Sequence, residues 1–437
     1  MLRLIYRAAW WLVAPLAVLR LLLRSRREHG YREHIGERFG YAAGRAPGDN
    51  VPLIWIHAVS VGETRAAQPL VEALSNARPE ARILLTHMTP GGRAMGERLF
   101  GSRILRCYLP YDMPHSVRRF LRAWRPSLGL MMETEAWPTL IDECRRIGIP
   151  LVLTSARMSA RSCRRAARFG HATREVFGGF TRVLAQTEAD AQRLKTLGAR
   201  NLTVTGNLKF DMTIPPELIM RGRAWRAAIG ARPVWMAAST REGEEEIVLR
   251  AFSALDVKDA LLILVPRHPQ RFDEVAMLAA SKGFRVVRRS VWAPQAVTAA
   301  PASVSAPETM QALPADVNVL LGDSMGEMGA YYAAADVAFI GGSLLPFGAQ
   351  NLIEACAVGV PVLIGPHVFN FRQATKDAVA AGAALQVKDE MALANALREL
   401  FADQPRRAAM GRAAAGFAAS HRGATARTIE GLTALLP

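Results

Sequence analysis

The run His57-Ala58-Val59-Ser60-Val61-Gly62-Glu63 delivers a carboxylate to the place where a parallel sheet does its chemistry. Leu53 to Ile56 is a short apolar run that reads as a buried strand, and Arg65 to Ala73 reads as the following helix. Gly62 and Glu63 are therefore expected in the crossover loop, where a carboxylate can act as a general base. The competing reading is a helix cap, since acids are favoured beside the free N–H groups of a first turn. Glu133 and Glu135 close another apolar run, Leu128 to Met132, so one of them can orient the acceptor or the partner of Glu63; Glu135 is a weaker candidate than Glu63, since two acids so close can equally make helix-start contacts. His57 and His87 also follow strands, where a satisfied core histidine and a ligand-facing one are equally expected. Arg157, Arg161, Arg164, Arg165 and Arg168 form a basic run suited either to phosphates or to a solvated helix face.

The second half offers groups that bind anions. Gly341-Gly342-Ser343 follows the run Val337 to Ile340, and a helix is expected from Asn351 through Leu352-Ile353-Glu354-Ala355. A glycine-containing loop before a helix start can cradle a phosphate with backbone N–H groups, leaving Glu354 to accept hydrogen bonds from ribose hydroxyls. The alternative makes Asn351 the N-cap and Glu354 its capping-box partner. Arg267, between Pro266 and His268, follows Leu261 to Val265 and can fork onto a phosphate or carboxylate. Met325-Gly326-Glu327 follows Val317 to Leu321, with a glycine that admits a ligand close to the backbone. These loops together describe a nucleotide pocket. There is no Gly-x-Gly-x-x-Gly, no Walker Gly-Lys-Ser/Thr and no Asp-x-Asp, so neither a dinucleotide nor an obligatory divalent metal is expected.

Two series of apolar runs position these residues. The first comprises Leu53–Ile56, Arg82–Thr86, Ile104–Tyr108, Leu128–Met132, Leu151–Thr154, Val183–Ala185 and Leu202–Thr205. The second comprises Val234–Ala237, Leu261–Val265, Arg285–Val287, Val317–Leu321, Val337–Ile340, Val362–Ile364 and Ala384–Gln386. Amphipathic stretches between them make this βα alternation, hence an α/β fold of two Rossmann-like doubly wound domains facing a central cleft. Pro215-Pro216 reads as a linker, and Ser290 to Pro314, rich in Ala, Pro and Ser, as an inserted surface loop. The expected domains are residues 29–213 for the acceptor and 214–437 for the donor, the last helix being free to return to the first domain.

At 437 residues, 50% hydrophobic and 21% charged, the composition is globular, while a net charge of +17 calls for anionic partners. No nucleic-acid motif accompanies that charge, so a membrane surface and an anionic substrate are expected rather than nucleic acid. Cys107, Cys144, Cys163 and Cys356 are widely spaced and read as small core thiols in a reducing compartment. Within an expected N-terminal segment of residues 1–28, Met1 to Leu23 is apolar but carries Arg3, Arg7 and Arg20, leaving only Ala8 to Leu19 uncharged, below the roughly 20 residues of a comfortable span. With Trp10 and Trp11 inside and Arg24, Arg26 and Arg27 behind, the segment reads as an uncleaved anchor or an in-plane helix that keeps the following domain cytoplasmic.

Taken in order, these residues resemble the family of 3-deoxy-D-manno-oct-2-ulosonic acid (Kdo) transferases. The resemblance runs through His57 to Glu63, Glu133-Thr134-Glu135 with Trp137-Pro138, Ala156-Arg157, Gly206 to Asp211, Pro266 to Pro269, Gly322 to Glu327, and Gly365-Pro366-His367 with Asn370-Phe371. It implies the GT-B fold and inverting transfer of Kdo from CMP-Kdo to a glucosamine hydroxyl of the lipid A precursor, at the cytoplasmic face of a bacterial inner membrane, without a cofactor. By resemblance Glu63 is the general base, and Pro266, Arg267, Met325, Gly326, Glu327, Asn351, Leu352, Ile353 and Glu354 contact CMP. Glu135, Arg157, Lys209 and His367 are secondary candidates, for the acceptor among others. The chain departs from the family pattern at Ser155, where Asn is favoured, at Arg241, where His is favoured, and at Ala349-Gln350-Asn351-Leu352, where Gly-His-Asn-Pro is favoured. A GT-B epimerase would use similar pockets without needing the basic apolar N-terminus. A non-catalytic lipid-binding protein would not bind CMP.

Overall fold

In a computed structural model the described residues are 2–26, 28–45, 49–292 and 310–437, with side chains from Ile5 onward. They form two compact units, one of Met1–Met212 with His421–Pro437 and the other of Thr213–Ser420. Most of the loop expected at Ser290 to Pro314 lies outside the described residues, as do Arg27 and the Arg3 side chain.

The first unit is built on β1 (Leu53–His57), β2 (Arg82–His87), β3 (Leu105–Tyr108), β4 (Leu128–Met132), β5 (Leu151–Ala156), β6 (Arg182–Ala185) and β7 (Leu202–Val204). They lie in the order β3-β2-β1-β4-β5-β6-β7, and every pairing is parallel. All five β1 residues are buried, because helices cover both faces. Leu53 and Trp55 point into one apolar layer with Phe120 and Leu140, and Ile54 and Ile56 into the other with Leu70 and Leu74. Gly129 on β4 is required by that packing, since a Cβ there would lie 2.6 Å from Leu151 Cδ1 and 3.0 Å from the Trp55 ring.

The second unit repeats the plan with β8 (Val234–Thr240), β9 (Leu261–Pro266), β10 (Val286–Arg288), β11 (Val319–Leu321), β12 (Val337–Ile340), β13 (Val362–Ile364) and β14 (Ala384–Gln386). Their order is β10-β11-β9-β8-β12-β13-β14, again all parallel. Every apolar run expected to be a strand is one. Register breaks near the ends of β5 and β8 leave Ser155 at φ +48 and Ser239 at φ +58, just before the loops that carry Arg157 and Arg241.

Three local readings are corrected. The helix after β1, α2 (Val61–Ala77), starts at Val61, so Gly62 and Glu63 belong to its first turn and not to the crossover loop. Ser60, extended at φ −129, is its N-cap. The helix expected from Asn351 is Ile353–Val358, because the Asn351 side chain accepts the Ile353 N–H at 3.1 Å and holds that stretch as a turn. Pro216 is the first residue of the helix Pro216–Ile229, a position where its missing N–H is harmless, so the prolines start an element and do not form a free linker.

The N-terminal helix α1 (Leu2–Arg24) docks one side on the first unit. Tyr6 donates to Asp112 at 2.9 Å, Arg7 pairs with Asp142 at 3.2 Å, and the Trp10 and Tyr111 rings stack at 5.7 Å. Its other side leaves Trp11, Leu12, Leu16 and Leu19 exposed. Ile5–Arg24 is long and apolar enough to cross a membrane.

Candidate active site

In the first unit the chemistry gathers beyond the carboxyl ends of β1, β4 and β5. The Val59 N–H donates to Glu63 Oε2 at 2.7 Å, so Glu63 reaches back over the start of α2 as a capping acid would. Capping does not exhaust it. Burial, the field of Glu133 and that of Glu135 raise its pKa to about 7, against the opposing Val59 N–H and Lys209. A carboxylate balanced there can accept a proton near neutrality, which an ordinary acid does poorly.

Glu133 occupies the centre of this group. Its φ of +57 turns it out of the line of β4, and it is only 5% exposed. Arg157 Nε donates to Glu133 Oε2 at 2.8 Å and Lys209 Nζ to Oε1 at 2.9 Å. Burial alone would raise its pKa, but these two cations hold it below the usual value. Lys209 is set in place by Asn207, whose side chain accepts the Lys209 N–H at 3.0 Å. Arg157 and Lys209 thus both serve Glu133, and Arg157 keeps enough exposure to meet a ligand as well. Glu135 accepts from Trp137 Nε1 at 2.8 Å, and His57 Nε2 lies 3.8 Å from it. His57 Nδ1 lies 2.9 Å from Thr86 Oγ1 on β2, and its ring is fully buried. His87 lies against Ala58 O at 3.0 Å, and burial lowers its pKa to about 3, a neutral core histidine.

In the second unit Pro266 ends β9, and the Arg267 N–H donates to Thr240 O at 3.0 Å, fixing where Arg267 leaves the sheet. Met325 is 53% exposed beside Gly326 at φ +89, an open turn. Glu327 is saturated by Arg221 at 2.9 Å, Arg289 at 3.1 Å and the Ser324 hydroxyl, so it braces that turn. Asn351 Nδ2 donates to Glu354 Oε1 at 3.2 Å, but the capping alternative is not met, because Leu352 and not Asn351 stands at the N-cap and the contact joins two side chains. Leu352 and Ile353 are core side chains at 0% and 2% exposure, leaving only their backbone to meet a ligand. His367 is half-buried, and its N–H donates to Ser343 O at 2.9 Å.

The expected phosphate cradle is already filled. Buried Glu244 accepts the Ser343 and Leu344 N–H groups at 3.0 Å each, the Gly342 N–H at 2.5 Å and the Arg241 N–H at 3.2 Å. A protein carboxylate therefore stands where the loop was expected to hold a ligand. Sequence reasoning missed Glu244 because an acid in the run Glu242-Gly243-Glu244-Glu245-Glu246 looks like ordinary first-turn charge.

Residues 33–212 match the family described as 3-Deoxy-D-manno-octulosonic-acid transferase (kdotransferase), and residues 310–417 match Glycosyl transferases group 1. A 3-deoxy-D-manno-octulosonic acid transferase of Bordetella pertussis is 47% identical to this chain, over 98% of each. One from Haemophilus influenzae is 35% identical, over 98% of this chain and 97% of its own. The chain belongs to the Kdo transferase family. Solved structures support the fold of the transferase at low identity. A glycosyltransferase from Rickettsia africae aligns at TM-score 0.58 and 12% identity over 89% of this chain and 99% of its own. UDP-GlcNAc 2-epimerase from Neisseria meningitidis aligns at TM-score 0.58 and 14% identity, over 88% and 100%. Both likenesses bear on architecture alone and give the transferase the GT-B fold.

Proposed function

We propose that the transferase moves Kdo from CMP-Kdo to a glucosamine hydroxyl of the lipid A precursor, with Glu63 as general base. The observation that carries this reading is the Glu63 environment, a half-buried carboxylate whose pKa stands at about 7 beside Glu133 and Glu135. Glu63 takes the proton of the acceptor hydroxyl, the oxygen bonds to the anomeric carbon, and the bond from that carbon to the phosphate oxygen breaks. CMP leaves with the electron pair. The leaving group is already good, so the protein has to position the acceptor, remove one proton and receive the phosphate charge. Backbone at Met325, Gly326 and Asn351 to Ile353, with Pro266, Arg267 and Glu354, forms the nucleotide side of this proposal. Arg157, Lys209, Glu135 and His367 are its secondary residues.

No resident metal is part of this mechanism. We place the enzyme at the cytoplasmic face of a bacterial inner membrane with α1 lying in the interface. A helix docked through Tyr6, Arg7 and Trp10 on one side and apolar on the other fits that placement better than a span.

The test is mass spectrometry of lipid A precursor after incubation with CMP-Kdo and the full-length enzyme. A mass gain of one or more Kdo units with CMP release is expected. CMP release without lipid modification would overturn the acceptor, and the absence of both products would overturn the donor as well. Glu63→Gln should lower turnover about 10²- to 10⁴-fold with CMP affinity intact.

A further inference from the structure

The arginines at the carboxyl ends of the second sheet are largely matched to carboxylates. Arg271 pairs with Glu245 at 2.7 Å and Glu274 at 2.9 Å. Arg221 and Arg289 share Glu327, and Arg288 pairs with Asp273 at 2.6 Å. Arg241, on the loop after β8, has no carboxylate partner among the described residues. Its Nη1 donates to His268 Nε2 at 2.8 Å, its guanidinium lies 4.7 Å from the Phe347 ring centroid, and its Nε is buried with no hydrogen-bond partner.

That arrangement has the features of a prepared anion site. His268 can accept from Arg241 only as the neutral ring, and burial together with Arg241, Arg267 and Arg271 keeps its pKa below the usual value. The guanidinium is thus oriented by a neutral acceptor and an aromatic face, neither of which cancels its charge. Its side chain packs over the glycine loop, since a Cβ on Gly342 would lie 3.3 Å from Arg241 Cγ. The N–H groups of that loop are closed to an incoming anion by Glu244. Glu244 also accepts the Arg241 N–H, so one carboxylate removes the backbone site and anchors the arginine beside it.

We propose that Arg241 binds an anionic oxygen of the sugar nucleotide, oriented by His268 and Phe347, in place of the backbone cradle that Glu244 occupies. This rests on the CMP-sugar reading above. The anionic oxygen belongs either to the phosphate or to the sugar carboxylate. A fork with an unfilled Nε suits both.

Calorimetry with the full-length enzyme and three probes, cytidine, CMP and CMP-Kdo, tests it in wild type, Arg241→Ala and Arg241→Gln. Loss of one charged hydrogen-bonded contact should weaken binding about 10- to 100-fold in both variants, with cytidine unchanged. Weakening for CMP and CMP-Kdo alike assigns the phosphate, and weakening for CMP-Kdo alone assigns the carboxylate. Either result supports the proposal. His268→Leu, which removes the acceptor but no charge, should weaken the same probes less. If both Arg241 variants bind all three probes as wild type does, the proposal is overturned while the CMP-sugar reading stands. If wild type binds none of them, that reading falls and takes the proposal with it.

Discussion

Glu63 carries its prediction in its protonation. As the proposed base with a pKa of about 7, it should lose activity as the medium acidifies, so kcat/KM should fall about tenfold per pH unit well below neutrality and level off above it. Glu133→Gln removes a negative charge and leaves Lys209 and Arg157 uncompensated, and both changes favour ionised Glu63. The acid limb of the pH–rate profile should therefore move to lower pH in that variant. A carboxyl pKa raised on folding favours the native state below its unfolded pKa, and this contribution is lost as pH rises through about 7. Glu63→Gln, which keeps an acceptor for the Val59 N–H, should then raise Tm more at pH 8 than at pH 5 in a thermal melt. Glu63 was legible because a glycine and an acid follow a strand. The relative weight of Glu133 and Glu135 was not, because it turns on a positive φ at Glu133 that no side-chain pattern announces.

At the scale of elements, Asp112 shows how one side chain joins three of them. It accepts the N–H groups of Thr139 and Leu140 at 2.8 Å each, at the start of the helix Pro138–Arg146, and also the Tyr6 hydroxyl from α1. Asp112→Ala should lower unfolding free energy by about 1.5 to 3 kcal/mol in a denaturant titration. Tyr6→Phe should change that by less than about 1.5 kcal/mol while speeding proteolysis or amide exchange within α1. The strands were readable because a strand buried on both faces must be almost wholly apolar, as β1 up to Ile56 and β4 are. Helix starts were less so. Gly62 continues α2 despite its poor propensity, and Asn351 delays the next helix through its own backbone contact, both decided by local geometry.

The whole molecule carries a charge of +17, and part of it stands on one exposed stretch. Arg161, Arg164 and Arg165 on the helix Ala160–Ala167, with Arg168 following, are all exposed. Replacing these four with Gln should weaken binding to vesicles containing phosphatidylglycerol by about 1 kcal/mol per residue that reaches the surface, with neutral vesicles unaffected in a flotation assay. Raising the salt should reduce the difference. Composition alone called for an anionic partner, but which arginines are available depended on the fold, since Arg157 is turned to Glu133 and Arg271 to Glu245.

Residues 421–437 belong to the first unit although all of Thr213–Ser420 precedes them. Asp211 accepts the Gly423 N–H at 2.7 Å, Arg427 donates to Thr205 O at 2.9 Å, and Ala424 and Leu432 join the layer formed with Leu70, Leu184 and Leu208. During synthesis the first unit thus emerges with an apolar gap that stays open until the ribosome has delivered the second, so its completion waits on the whole of that unit. A nascent chain stalled short of His421 presents Leu184 and Leu208 uncovered, and is a natural client for chaperones that hold exposed apolar surface.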